Sequence, residues 1–187
     1  MLNGMIGVLK MNSFRIRFLS LVLFSILLFP HVAYSQEDKD LYHQGTQAAR
    51  QGNVDFAFMR FYRLLNNFPD SKYIDQALFA VGEYYFLVGD HHDAIQAFNR
   101  LINEFPKSEA KPFAIAYLLN LANRQGNEVM AGALKKELIA SQQLSLVFKD
   151  FEERKYISPL NQSYRFLHFI DRVEIYIYDQ LLSEISF

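Results

Sequence analysis

Few side chains in this sequence are of a type and spacing that could do chemistry. His91 and His92 are adjacent in a predicted helix–helix turn, where neighbouring side chains splay apart instead of converging on one metal ion. The segment 152–155 places two glutamates before an arginine and a lysine, a charge cluster typical of a surface loop. The sequence has no Gly-x-Ser-x-Gly elbow and no glycine-rich phosphate loop. We therefore predict no catalytic centre, no cofactor and no metal site, and we do not expect an enzyme.

Function without such a centre must come from a surface, and composition limits the partners of that surface. The chain has 187 residues, of which 51% are hydrophobic, enough for a substantial core. A formal net charge of −1 gives no reason to expect nucleic acid as a partner. The sequence contains no cysteine, which removes disulfides, thiolate metal sites and lipidation of a cysteine. We therefore expect the partner to be a protein or a peptide segment.

The first residues, 1–35, are predicted to be a signal peptide. Basic residues precede a short apolar run, and Ala33 and Ser35 are small at the two positions that signal peptidase reads. We place the cleavage site before Gln36. A membrane anchor is the alternative, but about 12 apolar residues are too few for a hydrocarbon core that needs about 20. The mature protein is thus expected to be exported to the periplasm, to lack a membrane span, and not to be a lipoprotein.

The strongest signal in the sequence is an internal repeat. The glycines of three similar tripeptides, Gly52, Gly89 and Gly126, are each 37 residues apart. The same shift superimposes further pairs of residues, namely Gly45 on Gly82, Ala57 on Ala94, Phe61 on Phe98 and Phe68-Pro69 on Phe105-Pro106. A third copy begins on schedule and then decays, as terminal units of stacked arrays do.

Each repeat is predicted to be a pair of antiparallel helices. In the second repeat, residues 73–88 have apolar side chains at helical spacing, and Gly89 and Asp90 then supply a left-handed residue and a cap for the next helix. The segment 93–104 repeats the helical spacing. One pair cannot bury both of its faces, so about three pairs must stack within residues 36–143.

Small residues mark the places where paired helices must approach closely. Gly82 and Ala94 are small at such positions, and Phe98 fills the space beside them. Because Gly82 belongs to the central pair, we expect Gly82→Leu to disrupt the array far more than Gly45→Leu.

The pattern resembles the tetratricopeptide repeat family. The residues that carry the resemblance are Leu78, Val81-Gly82, Tyr85, Ala94, Phe98 and Pro106. The resemblance spans about residues 40–142 and implies a mainly α fold, an α-α superhelix. The long period and the "FPDS" and "FPKS" loops are similar to bacterial envelope members of the family, which include the lipoprotein subunit of the outer-membrane β-barrel assembly machine and the periplasmic partner of the Tol system. A lipobox cysteine is missing here.

In this family the first helix of each pair lines a groove that binds protein segments. The groove-facing offsets fall in this sequence on Tyr42, Thr46, Arg50, Gln76, Phe79, Glu83, Phe86, Phe113, Asn120 and Arg124. Aromatic anchors beside arginines suit an extended or helical peptide, although Phe79 and Phe113 could instead pack between repeats. We expect Glu83 and Arg124 to be exposed charges that set partner choice. The family's peptide-carboxylate clamp is absent, because Tyr42 and Thr46 occupy its places.

The C-terminal residues 144–187 have a residue pattern that differs from that of the repeats. Alternating apolar residues, a turn signal at 158–161 and the run 173–178 predict a small β-meander. A competing amphipathic helix over 165–182 also places apolar residues on one face, but the density of β-branched and aromatic residues favours strands. We expect this segment to cap the third, degenerate repeat.

Two function classes are consistent with these patterns. The first is an exported scaffold that holds envelope proteins together, in outer-membrane biogenesis or cell-wall coordination. The second is an accessory or folding-helper subunit whose C-terminal β segment docks on a partner's sheet.

Overall fold

The computed structural model describes residues 36–140, 151–169 and 171–186. Residues Asp40–Phe187 group into one compact unit, and Met1–Lys39 are grouped separately. The predicted signal peptide lies outside the described residues, and so does the predicted boundary between residues 143 and 144. Both therefore stay predictions.

In the described residues, six helices precede four strands. The helices are α1 (residues 36–50), α2 (Val54–Asn67), α3 (Ile74–Val88), α4 (His91–Glu104), α5 (Lys111–Arg124) and α6 (Glu128–Ala140). The strands are β1 (Phe151–Ile157), β2 (Ser163–Phe169), β3 (Arg172–Ile177) and β4 (Gln180–Ser186), in an antiparallel sheet of order β1-β2-β3-β4. The mainly α fold with a C-terminal β-meander is confirmed, and the competing helix over 165–182 is wrong.

The turns inside the helix pairs explain the spacing of the glycines. Gly52, Gly89 and Gly126 have φ angles of 78°, 83° and 67°, a left-handed conformation that a side chain makes costly. The next helix then begins with a cap: Asn53 accepts a hydrogen bond from the backbone N–H of Phe56. The same turn therefore recurs because each helix must end and the next must begin within a few residues.

A glycine in the first helix of a pair lies against a phenylalanine ring in the second. A Cβ atom added to Gly45 would lie 2.8 Å from the Phe61 ring, and one added to Gly82 would lie 2.6 Å from the Phe98 ring. The two contacts are equally tight within a few tenths of an ångström, and the expectation that Gly82→Leu is far more disruptive than Gly45→Leu stays a prediction. One period further along the chain, a leucine and Lys135 replace this glycine and ring.

The sheet shares the core of the helices. Its inward residues on β2, β3 and β4 alternate with outward ones, and Tyr164, Phe166, Val173, Ile175 and Ile185 are buried in the same hydrophobic cluster as the helical core. Outward residues pair among themselves, as where Arg172 covers the Phe169 ring at 4.0 Å. The meander is amphipathic because only one of its faces meets the helices.

The sheet contacts the second and third helix pairs, and the expectation that it caps the third repeat stays a prediction. The side chains of Tyr156 on β1 and Tyr164 on β2 pack on Phe79 of α3 and Phe113 of α5. The sheet thus covers the first helices of two consecutive pairs.

Candidate partner-binding groove

The first helices of the three pairs form one layer. The hydroxyl of Tyr42 on α1 donates a hydrogen bond to Gln76 on α3, and the rings of Tyr42 and Tyr73 stack with centroids 4.3 Å apart. Phe86 of α3 contacts Tyr117 of α5 at 4.7 Å between centroids. All ten residues predicted for the groove lie on α1, α3 or α5, so we name the side of these helices that carries them the inner groove.

The centre of the inner groove is filled by the protein's own sheet. Phe79 and Phe113 are 0% and 3% exposed, and the ring of Phe113 stacks on Tyr156 with centroids 5.1 Å apart. Phe79 contacts both Tyr156 and Tyr164 at 5.6 Å. The two phenylalanines are therefore packing residues, as the alternative interpretation predicts. They pack against the sheet as well as between repeats.

Glu83 is buried at the centre of the groove, so the expectation of an exposed charge there is wrong. Its carboxylate side chain is 0% exposed and accepts a hydrogen bond from the Tyr164 hydroxyl, which lies 2.7 Å from the hydroxyl of Tyr117. Burial raises the pKa of Glu83 to about 8, and the hydrogen bond from Tyr164 offsets only part of this shift. The group is therefore an acid held largely neutral at pH 7, hydrogen-bonded to Tyr164, whose hydroxyl in turn bonds to that of Tyr117.

The groove remains accessible on two flanks of the sheet. On the first flank Arg50 is exposed and Tyr42, Thr46 and Gln76 are half-buried; the hydroxyl of Thr46 donates to the carbonyl of His43 at 3.0 Å. A cleft of about 520 Å³ opens between Gln76 and the end of β1. Its lining residues are Asp75, Gln76, Lys107, Ser108, Glu109, Ala110, Lys155, Tyr156 and Ile157. This flank presents charges of both signs to a partner.

The second flank lies at the ends of α3 and α5. Arg124 is exposed, with its guanidinium 5.8 Å from the centre of the Phe86 ring. The side-chain amide of Asn120 donates to the backbone carbonyl of Leu182 on β4 at 3.2 Å. A second cleft, of about 410 Å³, lies between these side chains and residues 181–184. Asn120 therefore holds the edge of the sheet, while Arg124 stays available.

Sequence reasoning missed the residues that fill the groove, namely Tyr117, Tyr156, Ser158 and Tyr164. Tyr117 follows Phe113 by four residues, so its position on the same face of α5 was readable from the sequence. Tyr156 and Tyr164 flank the turn signal at 158–161, which predicts that they pair across a hairpin, as they do. Nothing in that local pattern says which surface the hairpin covers.

Two findings concern chemistry and membranes. Across residues 36–140, 151–169 and 171–186, no group of three or more histidine, aspartate or glutamate residues is placed to hold a metal ion. His92 instead contacts the side chain of Gln96 at 2.7 Å. Within the same described segments, every helix is too short or too polar to span a bilayer.

Comparison with known proteins finds a match to a protein family. The model of the family YfiO, described as outer membrane lipoprotein, matches residues 34–168 of the chain. The match covers all six helices, β1 and most of β2, and therefore includes the hairpin that fills the inner groove. No curated protein sequence matches the chain.

Proposed function

The chain belongs to the YfiO family of outer membrane lipoproteins, and from this premise we propose that it is an exported scaffold that holds a protein partner in outer-membrane biogenesis. The observation that carries the proposal is the stacked helix pairs, whose first helices leave two polar flanks, around Arg50 and Arg124, beside a buried centre. An exposed arginine beside an aromatic ring, as Arg124 is beside Phe86, suits recognition of a protein segment. The scaffold performs no chemistry of its own.

A second candidate function rests on an outer strand of the sheet. β1 is an outer strand of the sheet, and Phe151 and Ile157 at its two ends are 47% and 68% exposed. An accessory subunit could add this edge to a partner's sheet through backbone hydrogen bonds. The exposed charges at residues 153–155 are of the kind that protect edge strands from such pairing. We therefore rank this function second.

Site-specific photo-crosslinking separates the two candidates. A photoreactive amino acid is placed at Arg124, at Ile157 or at Asn103, an exposed position on α4 that serves as the matched control. A scaffold that uses the groove gives a defined crosslinked partner from position 124 in envelope fractions. An adduct from position 157 alone favours the accessory subunit, and identical adducts from all three positions contradict both.

Deleting residues 144–187 is a poor test of either function. The deletion would uncover Phe79, Phe113 and Glu83, which are now covered by the sheet. Loss of binding in such a variant would then report damage to the helices as readily as loss of a docking surface. Point replacements on the flanks avoid this problem.

We also propose that the mature protein begins at Gln36 and carries no lipid. The family's description names lipoproteins, so the second half of this proposal gains no support from the match. Intact-mass measurement of the protein from an envelope fraction tests both halves at once. The mass of residues 36–187 is expected; a mass increased by acyl chains, or that of the uncleaved chain, contradicts the proposal.

A further inference from the structure

The β1–β2 hairpin is built like a ligand of the inner groove. We define the hairpin as residues 156–164, which carry a tyrosine at each end. Its turn is ordered by its own hydrogen bonds: the backbone N–H of Ser158 donates to the carbonyl of Gln162 at 2.9 Å, and the N–H of Gln162 donates to the Ser158 hydroxyl at 3.1 Å. Ser158 and Leu160 are 4% and 3% exposed. The groove therefore holds a segment whose turn is ordered by its own hydrogen bonds and whose turn residues are buried.

The two tyrosines contact the groove in different ways. Tyr156 stacks on Phe113 at 5.1 Å and meets the edge of Phe79 at 5.6 Å. Tyr164 also contacts these rings, and in addition its hydroxyl donates to Glu83 and lies 2.7 Å from the Tyr117 hydroxyl. One aromatic residue is thus held by its ring alone, and the other by its ring and its hydroxyl.

A carboxyl group is a poor choice for a surface that stays covered permanently. Burying a carboxyl costs free energy unless it is hydrogen-bonded, and apolar residues of similar size usually serve a permanent core as well or better. If the hairpin leaves, however, Glu83 becomes solvated and ionises. Its buried environment, which raises the pKa to about 8, is then exchanged for water. A surface that alternates between covered and open states gains solubility from such a group.

We propose that the inner groove is a binding site for an extended segment that presents a tyrosine hydroxyl to Glu83, and that the β1–β2 hairpin is its intramolecular occupant. The proposal rests on the scaffold function and names the chemistry of its partner: a hairpin or strand with tyrosines positioned as Tyr156 and Tyr164 are. A partner segment of this kind competes with the hairpin. The flanks around Arg50 and Arg124 stay available when the hairpin is in place.

The first experiment measures whether the hairpin opens without the helices. Hydrogen exchange of the full chain, followed by mass spectrometry, reports the opening of β1 and β2 separately from that of α3 and α5. We expect β1 and β2 to exchange at least tenfold faster than α3 and α5. Equal exchange, limited by unfolding of the whole unit, would overturn the proposal.

The second experiment supplies the occupant in trans. The probe is a fluorescent synthetic peptide of residues 155–165, and the protein is the full chain with Tyr164→Phe, which keeps the ring but loses the hydroxyl that reaches Glu83. We expect this variant to bind the peptide at least tenfold more tightly than the wild type does, because its own hairpin competes less well. Equal binding to both proteins, or no binding to the variant, would overturn the proposal.

A matched peptide tests the role of the hydroxyl. The same peptide carrying Tyr164→Phe should bind the variant at least tenfold more weakly than the tyrosine peptide, because it cannot donate to Glu83. Equal affinity of the two peptides would also overturn the proposal. None of these failures touches the scaffold function, which is tested independently by crosslinking from position 124.

Discussion

Within the helix pairs a glycine of one helix lies against a phenylalanine ring of the next, whereas the sheet is joined to the helices by tyrosine hydroxyls around a buried carboxyl. The first kind of contact occurs twice, at Gly45 and Gly82, at the same offset. The second occurs at Glu83 alone among the described residues and has no counterpart one period away. Shape complementarity fixes the pairs without an ionisable group, whereas the attachment of the sheet includes a buried carboxyl whose pKa is raised by its burial.

The largest loss of stability is expected from a substitution at Phe79, where the two kinds of contact meet. Phe79 is 0% exposed and contacts Phe98 and Tyr117 of the helices as well as Tyr164 of the sheet. Phe79→Ala should lower the free energy of unfolding by about 3 to 5 kcal/mol, measured by urea denaturation. Met59→Ala is the control, because that side chain is 63% exposed and its loss should change stability by no more than about 0.5 kcal/mol. Similar losses for both would mean that helices and sheet do not share a core.

The next largest loss of stability is expected from substitutions at the glycine contacts. Gly82→Ala and Gly45→Ala each force a phenylalanine ring to move, and each should cost about 1 to 3 kcal/mol in thermal denaturation. Gly132→Ala is the matched control, since nothing lies within 4 Å of a Cβ atom added to Gly132 in α6. There the better helix propensity of alanine should stabilise the protein by up to about 1 kcal/mol. A neutral Gly82→Ala would refute the close approach of α3 and α4.

The attachment of the sheet should depend on pH through Glu83. The pKa of this carboxyl is about 8 in the folded protein and about 4.5 when unperturbed, so the folded protein keeps a proton that the unfolded chain has released. The contribution of Glu83 to the free energy of unfolding is therefore largest below a pH of about 4.5. It falls by at most about 1.4 kcal/mol per pH unit as the pH rises to about 8, and it does not change at higher pH. Glu83→Gln, which cannot ionise, should remove this slope.

The measurement is the difference between the two proteins in urea denaturation at several pH values. Taking the difference cancels other titrating groups, including His168, whose pKa burial lowers and which therefore acts in the opposite direction. Parallel pH profiles for the wild type and Glu83→Gln would show that Glu83 is ionised in the folded protein.

The smallest stability effect is expected on the flanks. Arg124→Glu and Arg50→Glu replace exposed side chains and should change the free energy of unfolding by no more than about 0.5 kcal/mol. Affinity for the crosslinked partner should fall about tenfold, or roughly 1.4 kcal/mol. Unchanged affinity in both variants would move the binding surface away from the flanks. Reversing Glu83 is no comparable test, because Glu83→Arg places a guanidinium in a buried site.

The helices were predictable from the sequence because each repeat contains the residues that determine where its own two helices begin and end. The turn glycines, the caps and the Gly–Phe offsets recur at one interval, so each copy confirms the interpretation of the other. The placement of the ten groove residues on α1, α3 and α5 follows from the same pattern. The third pair is harder to interpret because Lys135 stands where the earlier pairs have a phenylalanine.

The cover over the groove was not predictable in the same way. The hydrogen bond between Tyr164 and Glu83 joins residues 81 positions apart, and contacts at such separation leave no periodic trace in the sequence. A repeat pattern assigns Glu83 to the groove-facing side, but it does not say what lies above that side. Whether the groove binds a partner stays a prediction, because the structure shows only its intramolecular occupant.

The contact of one sheet with α3 and α5 has a mechanical consequence. Tyr156 touches Phe79 and Phe113 at once, so any change in the angle between the second and third pairs must slide both helices under the sheet. The first pair meets the second through other contacts, namely the Tyr42–Gln76 hydrogen bond, the stacking of Tyr42 on Tyr73 and the stacking of Phe58 on Tyr84 with centroids 4.1 Å apart. The sheet therefore opposes bending between the second and third pairs of the superhelix.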